Sequence, residues 1–177
     1  DDRPARLATA AVALQQAAER GEPFAAELSA AKALLDDPRR IAALEPFAAT
    51  GIPPAASLAR ELVGLLDEQR RRLEAAPRDH DGGLLERLRQ SASKLVTVRP
   101  ANAPPAPSDP TGALAAAASR GDVGGALVQA EKLPDPARAP FAPWIEKAKA
   151  REAALAAARQ LAREGVAALG ANPTAPR

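Results

Sequence analysis

Apolar residues recur along most of this chain at intervals of three and four positions, the spacing of one face of an α-helix. In the first hundred residues the spacing predicts five helices, whose apolar faces begin at Leu7, Phe24, Ile41, Leu58 and Leu84. It predicts further helices near 112–119, over 122–133 and over 143–169. No alternating strand pattern occurs, so we expect an all-α class, a helical bundle of antiparallel hairpins with a long C-terminal helix.

Two of the breaks between these helices share one signature. An Ala-rich stretch runs into Arg20-Gly21 and again into Arg120-Gly121, and an acidic residue follows each time. Glycine ends a helix by adopting a left-handed conformation, and a carboxylate complements the positive N-terminus of the next helix. Each signature therefore predicts a helical hairpin. Asp37-Pro38 predicts another helix start, with Asp37 as the cap.

Prolines suggest how the chain is organised. Five of them fall between 99 and 110 without any helical pattern, which predicts a linker over 100–110. It would join helical hairpins and basic amphipathic helices over 1–99 to a C-terminal hairpin and long helix over 111–177. A length of 177 residues is compatible with a single domain made of both parts.

The composition predicts a thin core. Apolar residues make up 46% of the chain, but most are Ala, with three Phe, one Trp and no Tyr. Each buried position therefore removes little area from water. The chain has no Met and begins at Asp1, so we expect it to be a piece of a longer protein. No apolar run approaches the roughly 20 residues that a transmembrane helix needs.

The inventory of reactive residues argues against catalysis. The chain has no Cys, which excludes disulfides and cysteine metal sites, and its single histidine, His80, lies between Asp79 and Asp81. Nothing else in the sequence supplies the remaining parts of an active site or a metal site, so we interpret this stretch as a solvated loop. We expect no catalytic residue, no cofactor and no metal. A net charge of +2 with few aromatic residues also disfavours nucleic acid as a partner.

Positive charge concentrates over 58–99, beside leucines at helical spacing. A helix of this kind can lie in a lipid headgroup layer with its apolar side down. The alternative is that the leucines pack into the bundle and the arginines form its solvated side. The candidate lipid-binding residues are Arg70, Arg71, Arg72, Leu84, Leu85, Arg87, Leu88, Arg89, Lys94, Leu95 and Arg99.

The last predicted helix carries apolar residues at near-heptad spacing. This seam could pack on the bundle or on a second copy of the chain. The candidate self-association residues are Trp144, Ala148, Leu155, Ala162 and Leu169.

Several short motifs occur in a fixed order along the chain: RGEPFAAEL at 20–28, ALEPFA at 43–48, TGIP at 50–53, RGDVGGAL at 120–127, KL at 132–133 and APWIxxA at 142–148. In this order they resemble the C-terminal domain of the mitofilin family, in its alphaproteobacterial form. The resemblance covers most of the chain. The basic stretch over 58–99 is similar to the family in character more than in sequence.

The resemblance implies a function that the residues alone do not. Mitofilin proteins are anchored in an inner membrane by an N-terminal span, act as scaffolds at crista junctions, and carry amphipathic lipid-binding helices. We therefore expect a non-enzymatic membrane-organising scaffold on the periplasmic side of a bacterial inner membrane, with its anchor upstream. Its expected partners are anionic membrane lipids, further copies of itself, and an outer-membrane or periplasmic protein. The alternative is a helical protein-interaction adaptor that does not bind lipid directly.

Overall fold

The computed structural model describes residues 2–75 and 110–170, and every regular element within these ranges is helical. The α-helices are α1 (Arg3–Arg20), α2 (Ala25–Leu34), α3 (Ala55–Ala75), α4 (Pro110–Ser119), α5 (Val123–Glu131), α6 (Asp135–Arg138) and α7 (Ala142–Gly170), with 3-10 helices at Pro38–Phe47 and Ala139–Phe141. The predicted all-α class and long C-terminal helix are confirmed. The predicted helix that begins at Leu84 and the linker up to residue 109 lie outside the described ranges.

Both Arg-Gly signatures form the same helix-ending turn. Gly21 has φ 72° and Gly121 has φ 69°, the left-handed values that favour glycine. In the first turn the Glu22 N–H donates to the Ala17 carbonyl at 3.0 Å, and the Gly21 N–H donates to the Ala18 carbonyl at 3.2 Å. The second turn makes the corresponding two bonds, both at 3.0 Å. This pattern satisfies the carbonyls that a helix end would otherwise leave without partners.

The third predicted helix is present, and it is a 3-10 helix. Its apolar residues Ile41, Leu44 and Phe47 are spaced by three, which aligns them on one side when each turn contains three residues. Ile41 and Leu44 are completely buried. Asp37 caps this helix as predicted, because its carboxylate accepts a hydrogen bond from the Arg39 backbone N–H at 3.1 Å.

The stretch around Pro134, which the sequence predicts only as a break, contains the one-turn helix α6. Proline at the start of a helix loses no hydrogen bond, and its fixed φ favours the first turn. The Ala137 and Arg138 N–H groups both donate to the Pro134 carbonyl at 2.9 Å. The chain therefore turns here and leads through Ala139–Phe141 into α7.

Helix α7 is the common support of two apolar cores. Its 29 residues extend about 43 Å at ~1.5 Å per residue. Its C-terminal half packs on α1 and the first 3-10 helix in a core shared with α2, and its N-terminal half packs on α3 and α5 in a core shared with α4. The largest side chains of the first core are Leu14, Phe24, Ile41, Leu44, Leu155 and Leu161, and those of the second are Leu58, Leu62, Leu114, Phe141, Trp144 and Ile145.

Each of the two cores contains residues from one copy of a repeated sequence. Residues 58–66 of α3 and 161–169 of α7 share the pattern Leu-Ala-Arg-Glu-x-Val-x-x-Leu, which we call the long-helix motif. One copy follows each Arg-Gly hairpin. Helix α3 packs on α4, the first helix of the second hairpin, whereas α7 packs on α1, the first helix of the first hairpin. Each copy of the motif thus lies on the hairpin that it does not follow.

The fifth position of the long-helix motif differs between the copies, for a steric reason. It is Leu62 in α3, where the side chain is completely buried, and Gly165 in α7. A Cβ atom placed on Gly165 would lie 3.0 Å from the Cα of Ala8 in α1, closer than ordinary van der Waals contact. Glycine is therefore what allows α1 and α7 to approach each other at this point.

Candidate interaction surfaces

The C-terminal part of α3, residues 67–75, carries the described members of the predicted lipid-binding set; we call it the α3 arm. The apolar stripe of α3 is buried at Leu58 and Leu62, partly buried at Leu66, and continues to Leu73, which is 77% exposed. The three consecutive arginines at 70–72 are also exposed. The α3 arm therefore presents one large apolar side chain with Arg70 and Arg72 on its two sides and Arg71 on the opposite side of the helix.

The electrostatics of α3 differ from the expected basic character of 58–99. The helix holds four arginines and four acids, so that +4 and −4 give a net charge of zero; they are Arg60, Arg70, Arg71 and Arg72 against Glu61, Asp67, Glu68 and Glu74. Arg70 pairs with Asp67 at 3.0 Å, and Arg72 pairs with Glu68 at 2.9 Å. Within the described ranges Arg71 makes no ion pair. Exposed pairs of this kind are weak, so an anionic surface could compete for both arginines.

The remaining lipid-binding candidates lie outside the described residues. They are Leu84, Leu85, Arg87, Leu88, Arg89, Lys94, Leu95 and Arg99. His80, with its two flanking aspartates, also lies there. The roles predicted for these residues stay predictions.

The self-association seam of the last helix packs on the chain itself at four of its five positions. Trp144, Ala148, Leu155 and Ala162 are buried in the two cores, and the Trp144 indole N–H donates to the Leu58 carbonyl at 2.8 Å. Leu169 is 45% exposed. In this fold the first of the two alternatives, packing on the bundle, therefore holds for those four residues.

Two grooves flank the long-helix motif, and sequence reasoning missed both. They use the same positions of the motif but different parts of the facing helix, the middle of α1 in one case and the C-terminal end of α4 in the other. The α1–α7 groove has a volume of about 390 Å³ and is lined by Val12, Gln15, Ala162, Arg163, Val166 and Ala167. The α3–α4 groove has a volume of about 410 Å³ and is lined by Ala56, Ala59, Arg60, Val63, Ala118, Ser119, Arg120 and Gly121. Each groove contains the Ala, Arg and Val of one motif copy. The repeated motif in the sequence was the signal that could have located them.

A third, wider groove runs between α1 and α2. Its volume is about 650 Å³, and it is lined mainly by alanines of the two helices, with Arg6 and Glu27 as its charged residues. Small side chains leave the floor of this groove close to the helix backbones. The surface could accept a bulky apolar side chain of another protein.

Ion pairs join α7 to residues of 2–75. In the long-helix motif, the Glu61 carboxylate pairs with Lys147 at 2.6 Å, and that of Glu164 pairs with Arg40 of the first 3-10 helix. The side chains of Arg159 and Gln15 donate hydrogen bonds to Glu19 at 2.9 and 3.1 Å, and these bonds lower the pKa of its carboxyl.

The described part of the chain offers no metal cluster: it places no three His, Cys, Asp or Glu side chains where they could hold an ion. The helices within 2–75 and 110–170 include none with the length and apolar character needed to cross a membrane. Comparisons of the chain with protein-family models, curated proteins and solved structures found no match.

Proposed function

We propose that the chain is the C-terminal, periplasmic part of a mitofilin-like protein, a scaffold without catalytic activity that organises a bacterial inner membrane. It would bind anionic lipids and other copies of itself, with a membrane anchor upstream. The order of the motifs between 20 and 148 supports the family relationship. The α3 arm, with Leu73 exposed and flanked by Arg70 and Arg72, is the observation that supports lipid binding.

The proposed mechanism is adsorption of the α3 arm to a membrane surface. Leu73 would enter the boundary between headgroups and acyl chains, and Arg70 and Arg72 on its two sides would lie among anionic headgroups. Arg71, on the opposite side of the helix, would stay within reach of the surface charge at low salt. Each basic residue near such a surface contributes about 1 kcal/mol. One arm gives weak binding, so several linked copies would be needed for stable attachment. The two-core bundle would hold the arm in a fixed orientation.

Vesicle co-sedimentation tests this proposal on the full 177-residue chain. The wild type should sediment with phosphatidylglycerol-containing vesicles at low salt and stay in the supernatant with phosphatidylcholine vesicles. Changing Arg70, Arg71 and Arg72 to Gln should lower the partition coefficient roughly a hundredfold, because about 3 kcal/mol is removed. Leu73→Ser alone should also weaken binding, without changing its salt dependence.

A matched control neutralises three cations elsewhere, with Arg6, Arg39 and Lys132 changed to Gln. This variant has the same net charge as the α3-arm variant, but its changes lie on α1, the first 3-10 helix and the C-terminal end of α5. If both triple variants lose binding equally, the attraction depends on net charge and the α3 arm is not the site. If the wild type does not sediment with anionic vesicles at all, lipid binding by this chain is wrong.

The α1–α2 groove supports the alternative function, a protein-interaction adaptor that binds no lipid. Its alanine-lined floor fits an apolar side chain of a partner better than a fluid bilayer surface. In that case the wild type would capture a partner from an extract of the native host without sedimenting with vesicles, and Ala10→Arg and Ala30→Arg, which fill the groove, would abolish the capture. Membrane scaffolding predicts instead that these two variants sediment with anionic vesicles as the wild type does and that the α3-arm variant does not.

A further inference from the structure

We propose that the two grooves beside the long-helix motif are docking sites for an acidic amphipathic helix of another protein, so that one chain binds two such helices. These sites are separate from the α3 arm. The proposal therefore does not depend on lipid binding.

The first argument is that both motif copies leave the same two side chains available. Val63 is 40% exposed and Val166 is 54% exposed, although the Leu and Ala that open each motif are buried. Arg60 and Arg163 lie three residues before these valines, on the same side of the helix. Each copy thus offers an apolar contact and a cation that a single partner helix could engage together.

The second argument is the charge of the grooves. Among the described residues that line the grooves, none is acidic. Arg60 donates to the Ala56 carbonyl and Arg163 to the Gln160 side-chain oxygen, and within the described ranges neither makes an ion pair. In the α3–α4 groove a second cation, Arg120, stands 4.0 Å from its nearest carboxylate, that of Asp122. The complementary partner surface is therefore acidic.

The contrast within the motif strengthens this assignment. The glutamate after each arginine makes an ion pair within the chain, since Glu61 pairs with Lys147 and Glu164 pairs with Arg40. The arginine has no such structural partner in either copy. A residue that is present twice at equivalent places, and that the described fold does not use, is a candidate for intermolecular contact.

The shape of the grooves favours a helix over a membrane. Each is a depression between two helices, and such a depression accepts the side-chain ridge of a third helix. Amphipathic helices bind grooves of this kind through apolar residues at three- and four-residue spacing. At Val166 the α1–α7 groove also meets a neighbouring hollow that is lined by Val12 and Leu169, which lengthens its apolar floor.

A fluorescent 18-residue peptide of Ala, Leu and Glu, with leucines on one face and glutamates beside them, is the probe. We expect saturable binding by fluorescence anisotropy and two peptides per chain by calorimetry. Arg60→Glu or Arg163→Glu alone should leave one peptide per chain. The double variant should weaken binding at least tenfold, and Val63→Ser with Val166→Ser should do the same without changing net charge.

Val128 and Lys132 provide the matched control, since they pair an exposed valine of α5 with the cation that directly follows this helix, and neither residue lines a groove described above. Val128→Ser with Lys132→Glu should leave peptide binding unchanged. The proposal would be overturned if this control lost peptide binding equally, or if a peptide with every Glu replaced by Gln bound equally well. It would also be overturned if the wild type did not bind the peptide. So would the case in which the Arg60 and Arg163 variants lose vesicle binding while the wild type ignores the peptide, because the grooves would then face lipid.

Discussion

Gly64 and Gly165 occupy the interiors of the two long helices, and we predict that Ala stabilises the protein at the first position and not at the second. Replacing an interior helical glycine by Ala favours the helix by about 1 kcal/mol, through the lower backbone entropy of the unfolded chain. A Cβ atom on Gly64 meets nothing within 4 Å. Gly64→Ala should therefore raise the free energy of unfolding by about the full 1 kcal/mol.

At Gly165 the same atom has no space. It would lie 3.0 Å from the Cα and 3.4 Å from the backbone nitrogen of Ala8. These are main-chain atoms of α1, so no side-chain rotation relieves the contact and the two helices must separate. Overpacking of this kind costs about 1–3 kcal/mol. After the propensity gain of about 1 kcal/mol, Gly165→Ala should be neutral or destabilising by up to about 2 kcal/mol.

Urea unfolding followed by far-UV circular dichroism measures both variants against the wild type. The two should differ by about 1–3 kcal/mol, which corresponds to roughly 2–4 °C in Tm for each kcal/mol in a chain of this size. If Gly165→Ala stabilises the protein as much as Gly64→Ala does, the close approach of α1 and α7 does not exist in solution. That result would refute the packing of α7 on the first hairpin.

Two further predictions concern contacts that join distant parts of the chain. Trp144→Phe removes the indole N–H that donates to the Leu58 carbonyl, so we expect a loss of about 1–2 kcal/mol in the free energy of unfolding. An unrelated control, Val128→Ala, should show no loss. Equal stability of Trp144→Phe and the wild type would show that this bond contributes nothing. The carboxyl of Glu19 has a pKa below its ordinary 4.5, because hydrogen bonds from Arg159 and Gln15 favour its charged form. Its contribution is therefore present above about pH 4.5 and is lost as pH falls through the lower folded-state pKa. Glu19→Gln should lose less stability than the wild type between about pH 5 and about pH 3, measured by urea unfolding, and parallel losses would contradict the assignment.

Local features of the fold could be predicted from the sequence because they depend on neighbouring residues. The turn at Gly21 needs only a glycine after an Ala-rich helix, and the cap at Asp37 needs only a carboxylate before Pro38. The spacing of three between Ile41, Leu44 and Phe47 is also a local signal, and it fits the 3-10 helix that the following segment forms. Short-range spacing does not reveal how these pieces associate.

The interaction surfaces could not be predicted in the same way. The apolar spacing that includes Trp144 is the same whether the helix packs on its own chain or on a second copy, so only the fold distinguishes the two. The basic excess expected over 58–99 does not hold for α3, whose charges sum to zero once the fold gives the bounds of this helix. The grooves at Val63 and Val166 depend on a helix from another part of the sequence, and only the repeat of the long-helix motif pointed to them.

The packing of α7 across both cores has a consequence for synthesis of the protein. The first hairpin and the first 3-10 helix are complete by residue 47, but the side chains that cover them, including Leu155 and Leu161, lie more than a hundred residues later. A ribosome adding about 5–20 residues per second reaches that part of α7 roughly 5–20 s after the hairpin is made. During this interval Leu14, Phe24 and Ile41 have no permanent cover. The first core is therefore completed only when the C-terminal half of α7 has been made.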